Sequence, residues 1–300
     1  MTNVVDTVDP SAVASESPHP EASAFVGVDW LARRLPDPDV VVIEVTDDPD
    51  HVDGPGVIPG ARSVFWKRLL WHETSRRFAD PADLAERLRV LGAGEDRIVV
   101  FAGRPAQFAA YAIWVARVVG VGGELRYLDG GLPAWELGHG SPTGTSPTVE
   151  RRTPASALPL VTPLSSAVID RDGVRRAIDS ESVIVDLRTP EEYAGERVAP
   201  DTEPIDHGAQ RHGHIPGARP LHVNELLDDA GRVLPADALR RRVAGLDAAD
   251  ATELVFYCRL SHRAALGWLV VTDILSDPRV RVYDGSWTEW GSIVGTPIER

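Results

Sequence analysis

The sequence predicts an α/β protein made of two tandem units, each a small, mostly parallel sheet with helices on both faces. Two observations carry this. The first is an internal repeat. Gly56-Val57-Ile58-Pro59-Gly60-Ala61-Arg62 recurs as Gly213-His214-Ile215-Pro216-Gly217-Ala218-Arg219, 157 residues later. Tyr127-Leu128-Asp129-Gly130-Gly131 with Trp135 recurs as Val282-Tyr283-Asp284-Gly285-Ser286 with Trp290, 155 residues later. Two matching motifs at nearly one offset mark a tandem duplication. The second is the alternation, within each half, of short apolar runs and helix-length segments. That order builds a parallel sheet covered on both faces.

Residues 1–24 are rich in Ser, Ala, Pro and acidic side chains without periodicity, and are expected to form a disordered tail. The first unit is expected over 25–140. It opens with a helix over 28–35 that leads into the buried-strand run Val40-Val41-Val42-Ile43-Glu44. The Ile-Pro-Gly-Ala turn follows, then a helix over 81–91, a strand over 97–101, a longer helix over 107–119 and a short strand into the Asp-Gly turn. A low-complexity stretch of Ser, Thr, Pro and Gly over 141–165 reads as a linker. The second unit, 166–300, repeats the order: helix 172–178, strand 182–186, turn, helix 235–244, strand 253–257, helix 263–275 and a strand into Asp284-Gly285. An insertion from Gly195 to Arg211 has no counterpart in the first half and reads as a loop over the site or as mobile surface.

Composition narrows the function. Hydrophobic content of 43% and charged content of 25% are those of a globular protein. A formal charge of −14 argues against a general nucleic-acid or anionic-membrane surface, so any anion site is a local basic pocket. No apolar run approaches the ~18 residues of a membrane span, and the N-terminus lacks the apolar core of a signal peptide. A cytoplasmic location is the expectation. One cysteine rules out an intramolecular disulfide and any multi-cysteine metal site.

That cysteine, Cys258, ends the apolar run Leu254-Val255-Phe256-Tyr257 and precedes Arg259-Leu260-Ser261-His262-Arg263 and a helix-length segment. Strand, loop and helix in that order aim backbone N–H groups at an anion. A thiol held there is expected to be pulled toward thiolate by the helix N-terminus and by Arg259 and Arg263. Ligands bind at the carboxyl ends of strands in such sheets, and Cys258 lies at one. Aligning the strands that end in Phe101 and Tyr257 puts Ala102 opposite Cys258, so the first half has no nucleophile.

Over residues 25–300 these features resemble the two-domain, tandem rhodanese family of sulfurtransferases. The carriers are the paired Ile-Pro-Gly-Ala motifs, Asp186-Leu187-Arg188, the Cys258 loop, and Tyr283-Asp284-Gly285-Ser286-Trp287-Thr288-Glu289-Trp290. The resemblance implies two rhodanese-like domains, of which only the C-terminal one is catalytic. It implies a thiosulfate sulfurtransferase that holds the sulfane sulfur as a Cys258 persulfide and passes it to cyanide, a thiol or a sulfur-acceptor protein, without cofactor or metal. The alternatives are 3-mercaptopyruvate as donor and a sulfur-relay protein of little turnover. Cysteine-dependent phosphatases use a longer loop; the four residues between Cys258 and Arg263 suit a single sulfur better than a phosphate. Arg259, and a loop without glycine, accompany thiosulfate use within the family. Some thiosulfate enzymes carry cations where this chain has Leu260 and Glu192.

The expected substrate-binding set is Arg259, Leu260, Ser261, His262, Arg263, Ser286 and Trp287. Ser286 is expected to donate to the anion, and Trp287 to wall the pocket or pack in the core. Asp186 and Arg188 are expected to brace the loop or to form an internal ion pair. His262 can donate to substrate, but is read first as a solvated loop histidine. His207, His212, His214 and His222 are too irregularly spaced for a metal site.

Overall fold

The computed structural model describes residues 23–50, 56–139, 156–199 and 209–300. Most of the expected tail and linker, and the middle of the insertion, lie outside them. In the first unit the strands are β1 (Phe25–Val26), β2 (Val40–Thr46), β3 (Arg62–Phe65), β4 (Ile98–Arg104) and β5 (Glu124–Leu128). Its helices are α1 (Val28–Arg34), α2 (Trp66–Leu70), α3 (Pro81–Val90), α4 (Gln107–Val119) and α5 (Gly131–His139). The second unit has β6 (Val168–Ile169), β7 (Val183–Asp186), β8 (Arg219–Pro220), β9 (Leu254–Tyr257) and β10 (Val280–Tyr283). Its helices are α6 (Arg171–Ile178), α7 (Pro190–Tyr193), α8 (Ala236–Ala244), α9 (His262–Leu269) and α10 (Ser286–Trp290). The sheets run β1-β5-β4-β2-β3 and β6-β10-β9-β7-β8. All ladders within them are parallel. The same strand order twice is the structural form of the sequence repeat.

Local chemistry sets the elements. Every residue of β2 is buried, as its unbroken apolar run requires for a central strand. Pro81 starts α3, where its missing N–H costs nothing. The Asp170 side chain caps α6 by accepting from Gly173 N–H at 2.7 Å. Gly120 ends α4 in the left-handed conformation, with φ 85°.

Helix α4 is apolar on nearly every side, the pattern of a helix buried all round. It packs against α9 of the second unit, and one hydrophobic core runs through both units. Arg117 on α4 locks that junction by a bidentate pair to Asp273 at 2.8 and 3.0 Å. Each sheet also has a smaller core on its far face.

Three differences from the sequence reading are informative. Strands β1, β3, β6 and β8 and helices α2 and α7 are too short to show periodicity. The expected helix over 263–275 becomes α9 followed by a π-helical stretch, Val270–Ile274. Within that stretch Thr272 Oγ1 donates back to the carbonyl of Trp268, four residues earlier, at 2.8 Å. Third, the ladders shift the alignment of the halves by one residue. Phe101 pairs with Tyr127 as Phe256 pairs with Val282, so the position equivalent to Cys258 is Gly103, not Ala102. A Cβ at Gly103 would lie 2.6 Å from the Pro105 carbonyl oxygen and 2.7 Å from that of Ala106. The first unit has closed its loop over the place where a nucleophile would sit.

Asp129, at the first Asp-Gly turn, is buried and accepts from the Val233 N–H of the second unit at 2.8 Å. Burial pushes its pKa up to about 7. The fold therefore holds a proton there that the unfolded chain releases near pH 4, and stability falls as pH rises from about 4 to about 7. Asp129→Asn is expected to flatten that slope and to stabilise the protein at pH 8, by at most about 4 kcal/mol. Denaturant unfolding of both proteins at pH 5 and pH 8 checks this; equal slopes contradict it.

Candidate active site

Cys258 follows β9 directly and is 1% exposed. The chain then turns through Ser261, whose φ of 73° is left-handed, into α9. The loop carbonyls point toward α10: Cys258 O accepts from Trp287 N–H at 2.9 Å, and Arg259 O from Thr288 N–H at 3.1 Å and Thr288 Oγ1 at 2.9 Å. Among the described residues, no acceptor takes the N–H groups of Leu260, Ser261, His262 or Arg263. Carbonyls turned outward and N–H groups left open are the makings of a backbone anion nest.

The left-handed turn at Ser261 is tied down from behind. Its Oγ donates to the Asp284 carbonyl at 2.5 Å and lies 3.0 Å from Asp284 Oδ1. The first unit joins the same carboxylate: Arg76 Nη1 donates to Asp284 Oδ2 at 2.8 Å, and Tyr111 OH to Oδ1 at 3.2 Å. Strain at Ser261 is thereby carried by both units.

Behind the strand end lies a sealed polar cluster. Arg188 Nε is 3.0 Å from both Asp186 oxygens and its Nη2 is 2.7 Å from Oδ2, with neither side chain exposed. Nη2 also donates to Gly213 O at 2.8 Å, which fixes the second Ile-Pro-Gly turn. Tyr257 OH donates to Asp186 Oδ2 at 2.5 Å and accepts from Ile215 N–H at 3.2 Å. The residue before Cys258 is therefore clamped by the Asp186–Arg188 pair. The first unit does this more simply: Glu44 accepts from Val57 and Ile58 N–H at 2.9 and 2.7 Å.

In front of the thiol is a cavity of about 590 Å³ between the two units. Its lining is nearly two-fold. Phe65, Trp66 and Lys67 face it from one half, and their equivalents 157 residues on, His222, Val223 and Asn224, from the other. Leu260, His262 and Arg263 are likewise matched by Pro105, Gln107 and Phe108, 155 residues before. The site thus sits on the pseudo-symmetry axis of the repeat, with Cys258 and Arg259 breaking the symmetry.

Several expected roles change. His262 is not solvated: it is packed by Trp66, Phe108 and Tyr111, with ring centroids 4.4, 4.4 and 4.7 Å away. Burial, with the charges of Arg76, Arg263, Lys67 and Arg259, holds its pKa well below the usual histidine value, so it is neutral. The Arg263 guanidinium is bidentate to Glu192, Nη1 to Oε2 at 2.7 Å and Nη2 to Oε1 at 3.0 Å. Both of its terminal nitrogens are engaged by a carboxylate that is 0% exposed and that also caps α7. Ser286 sits behind the sulfur, accepting from Cys258 N–H at 3.2 Å while its own proton goes to Tyr283 O at 2.8 Å. That proton is not offered to an anion. Trp287 is fully buried, with Nε1 donating to Arg211 O at 3.1 Å and its ring under the Arg188 guanidinium at 4.4 Å, so it packs rather than walls the pocket. Cys258, Arg259, Leu260, His262 and Arg263 do meet at the cavity.

His212 and His214 direct Nδ1 to the carbonyls of Gly195 and Tyr193, at 3.0 and 2.9 Å. No cluster suited to a metal occurs among the described residues, and no helix there is long and apolar enough to cross a membrane. The sequence reading missed Trp66, Lys67, Phe108 and His222. The signal was present in the repeat, because segments at matched distances from the two Ile-Pro-Gly turns meet at the axis.

Comparison with known proteins agrees with this geometry. The model of the rhodanese-like domain matches twice, over residues 27–137 and 170–293. The chain belongs to the rhodanese family. A Mycobacterium bovis protein named "Putative thiosulfate sulfurtransferase 1" is 34% identical over 276 residues, 92% of this chain and 97% of that protein. The Thermus thermophilus "Sulfur carrier protein TtuD" is 34% identical over 295 residues, 94% of this chain and 98% of its own. A solved structure of an anaerobic ergothioneine biosynthesis enzyme from Chlorobium limicola shares the fold, with a TM-score of 0.73 at 22% identity over 92% of this chain and 70% of that one. The likeness to these relatives supports sulfurtransferase or sulfur-carrier activity at the level of the family.

Proposed function

We propose that the protein is a thiosulfate sulfurtransferase working through a persulfide on Cys258. The observation that carries the reading is a lone cysteine at the floor of an interdomain cavity, under a loop whose N–H groups are open. The Cys258 thiolate attacks the outer sulfur of thiosulfate. A new S–S bond forms, the thiosulfate S–S bond breaks, and its electron pair leaves on sulfite. A nucleophilic acceptor, cyanide or a thiol, then attacks the terminal sulfur, and Cys258 departs as thiolate. No external oxidant or reductant is needed. The open N–H groups of 260–263 stabilise the anionic persulfide between the two steps. Arg259 lines the same cavity and adds positive charge beside the sulfur.

The protein is expected to form thiocyanate from thiosulfate and cyanide with ping-pong kinetics, and Cys258→Ala to form none. Equal rates for the two proteins overturn the reading. The likeness to a sulfur carrier protein favours a second reading, sulfur relay to a partner thiol. It predicts that Cys258 takes up sulfur stoichiometrically but turns over slowly with cyanide. Loading by 3-mercaptopyruvate and not by thiosulfate would assign the other donor.

A further inference from the structure

Resting on that reading, we propose that Lys67, on the non-catalytic unit, anchors the oxyanion end of the sulfur donor, so that the donor is gripped across the domain boundary. Three observations lead there. The loop arginine best placed by sequence, Arg263, has both terminal nitrogens committed to the buried Glu192. Leu260 brings no charge, and Asn224, the repeat equivalent of Lys67, is neutral. In the C-terminal half that leaves Arg259 as the cation at the cavity, and a gap where a second one would hold the donor's oxyanion end.

Lys67 fills that gap. It lines the Cys258 cavity, and no carboxylate among the described residues pairs with it. Its neighbour Arg76 is spoken for by Asp284, at 2.8 Å. Asp47 also lines the cavity, without an ion pair to Lys67. Trp66 and Trp71 hold the ammonium over their faces, at 5.3 and 5.6 Å from the ring centroids. Trp66 packs in turn on His262 of the catalytic loop, which fixes α2 against the site. Lys67 is exposed at the mouth of the cavity, where partial burial of its ammonium and the nearby charge of Arg76 lower its pKa and no carboxylate offsets them. An arriving oxyanion relieves that situation. The ligand class is a small oxyanion carrying a transferable sulfur, its sulfur toward Cys258 and its oxygens toward Lys67.

Two measurements separate this claim from the function it rests on. In the full-length Cys258→Ala protein, which cannot be loaded, thiosulfate binding is read by titration calorimetry. Adding Lys67→Gln is expected to weaken binding about tenfold, as loss of one charge-assisted contact does, and Lys67→Arg to retain it. In proteins with Cys258 intact, Lys67→Gln is expected to raise the half-saturating thiosulfate concentration for sulfur loading far more than it lowers the limiting rate. Unchanged binding in Lys67→Gln overturns the anchor even where loading proceeds. Normal Lys67-dependent binding without loading keeps the anchor and overturns the persulfide function.

Discussion

Arg188→Met is expected to cost about 3–5 kcal/mol of stability, the largest loss from any single substitution considered. Methionine keeps much of the volume and the contact with Trp287, but leaves Asp186 as a fully buried carboxylate without its cation. Such a loss consumes a large part of the ~5–15 kcal/mol that holds a domain folded. The harm should reach the chemistry too, because Asp186 holds Tyr257 OH and Tyr257 precedes Cys258. The double variant Asp186→Leu/Arg188→Met tests whether charge imbalance is the cause. It should recover part of the lost stability, since no charge is left buried, while Tyr257 OH and the Arg188 N–H lose their Asp186 acceptor and keep the rest from returning. Denaturant midpoints of the three proteins decide the matter. A double variant as unstable as the single one would mean that the hydrogen bonds to Asp186 and the packing, not charge imbalance, set the cost.

Glu192→Gln is expected to move stability and donor affinity in opposite directions. Its loss strips the charge partner from Arg263 and weakens the α7 cap, at a cost of about 3 kcal/mol. It also frees a guanidinium at the cavity, so the half-saturating concentration of thiosulfate should fall severalfold. The pH dependence has a defined sign. Burial pushes the Glu192 pKa up, but the Arg263 hydrogen bonds and charge outweigh it and leave the pKa below its ordinary value. The stability it contributes is then present above the unfolded pKa, near 4.3, and is lost as pH falls through the folded value. Wild type and variant should converge in stability only as pH falls past that lowered folded value. Unfolding at pH 7 and pH 3, with initial rates against thiosulfate, measures both effects. A variant that loses stability and gains no affinity would show that Arg263 stays out of reach of the donor.

The sequence reveals the fold wherever elements are long or repeated. Helix α4 coincides with its expected bounds because thirteen apolar-rich residues end at a left-handed glycine. Strands of two residues such as β1 and β6 carry no pattern, and only the sheet makes them strands. The nucleophile and its loop are legible in Cys258 and its flanks. The fate of Arg263 is not, because Glu192 lies 71 residues away and reaches it only through the fold. His262 reads as loop and is core for the same reason: its neighbours Trp66, Phe108 and Tyr111 come from the other half of the chain. The one-residue error that put Ala102 opposite Cys258 has a related origin. Apolar run lengths mark strand ends only loosely, whereas strand pairing fixes equivalence and puts Gly103 there.

Sulfur transfer by this protein requires that Cys258 carry the sulfur. Intact mass of the full-length protein after incubation with thiosulfate and removal of excess donor tests that most directly. The expected result is a gain of about 32 Da, one sulfur atom, absent from Cys258→Ala and lost on adding cyanide with release of thiocyanate. No mass gain, or an equal gain in Cys258→Ala, would contradict it.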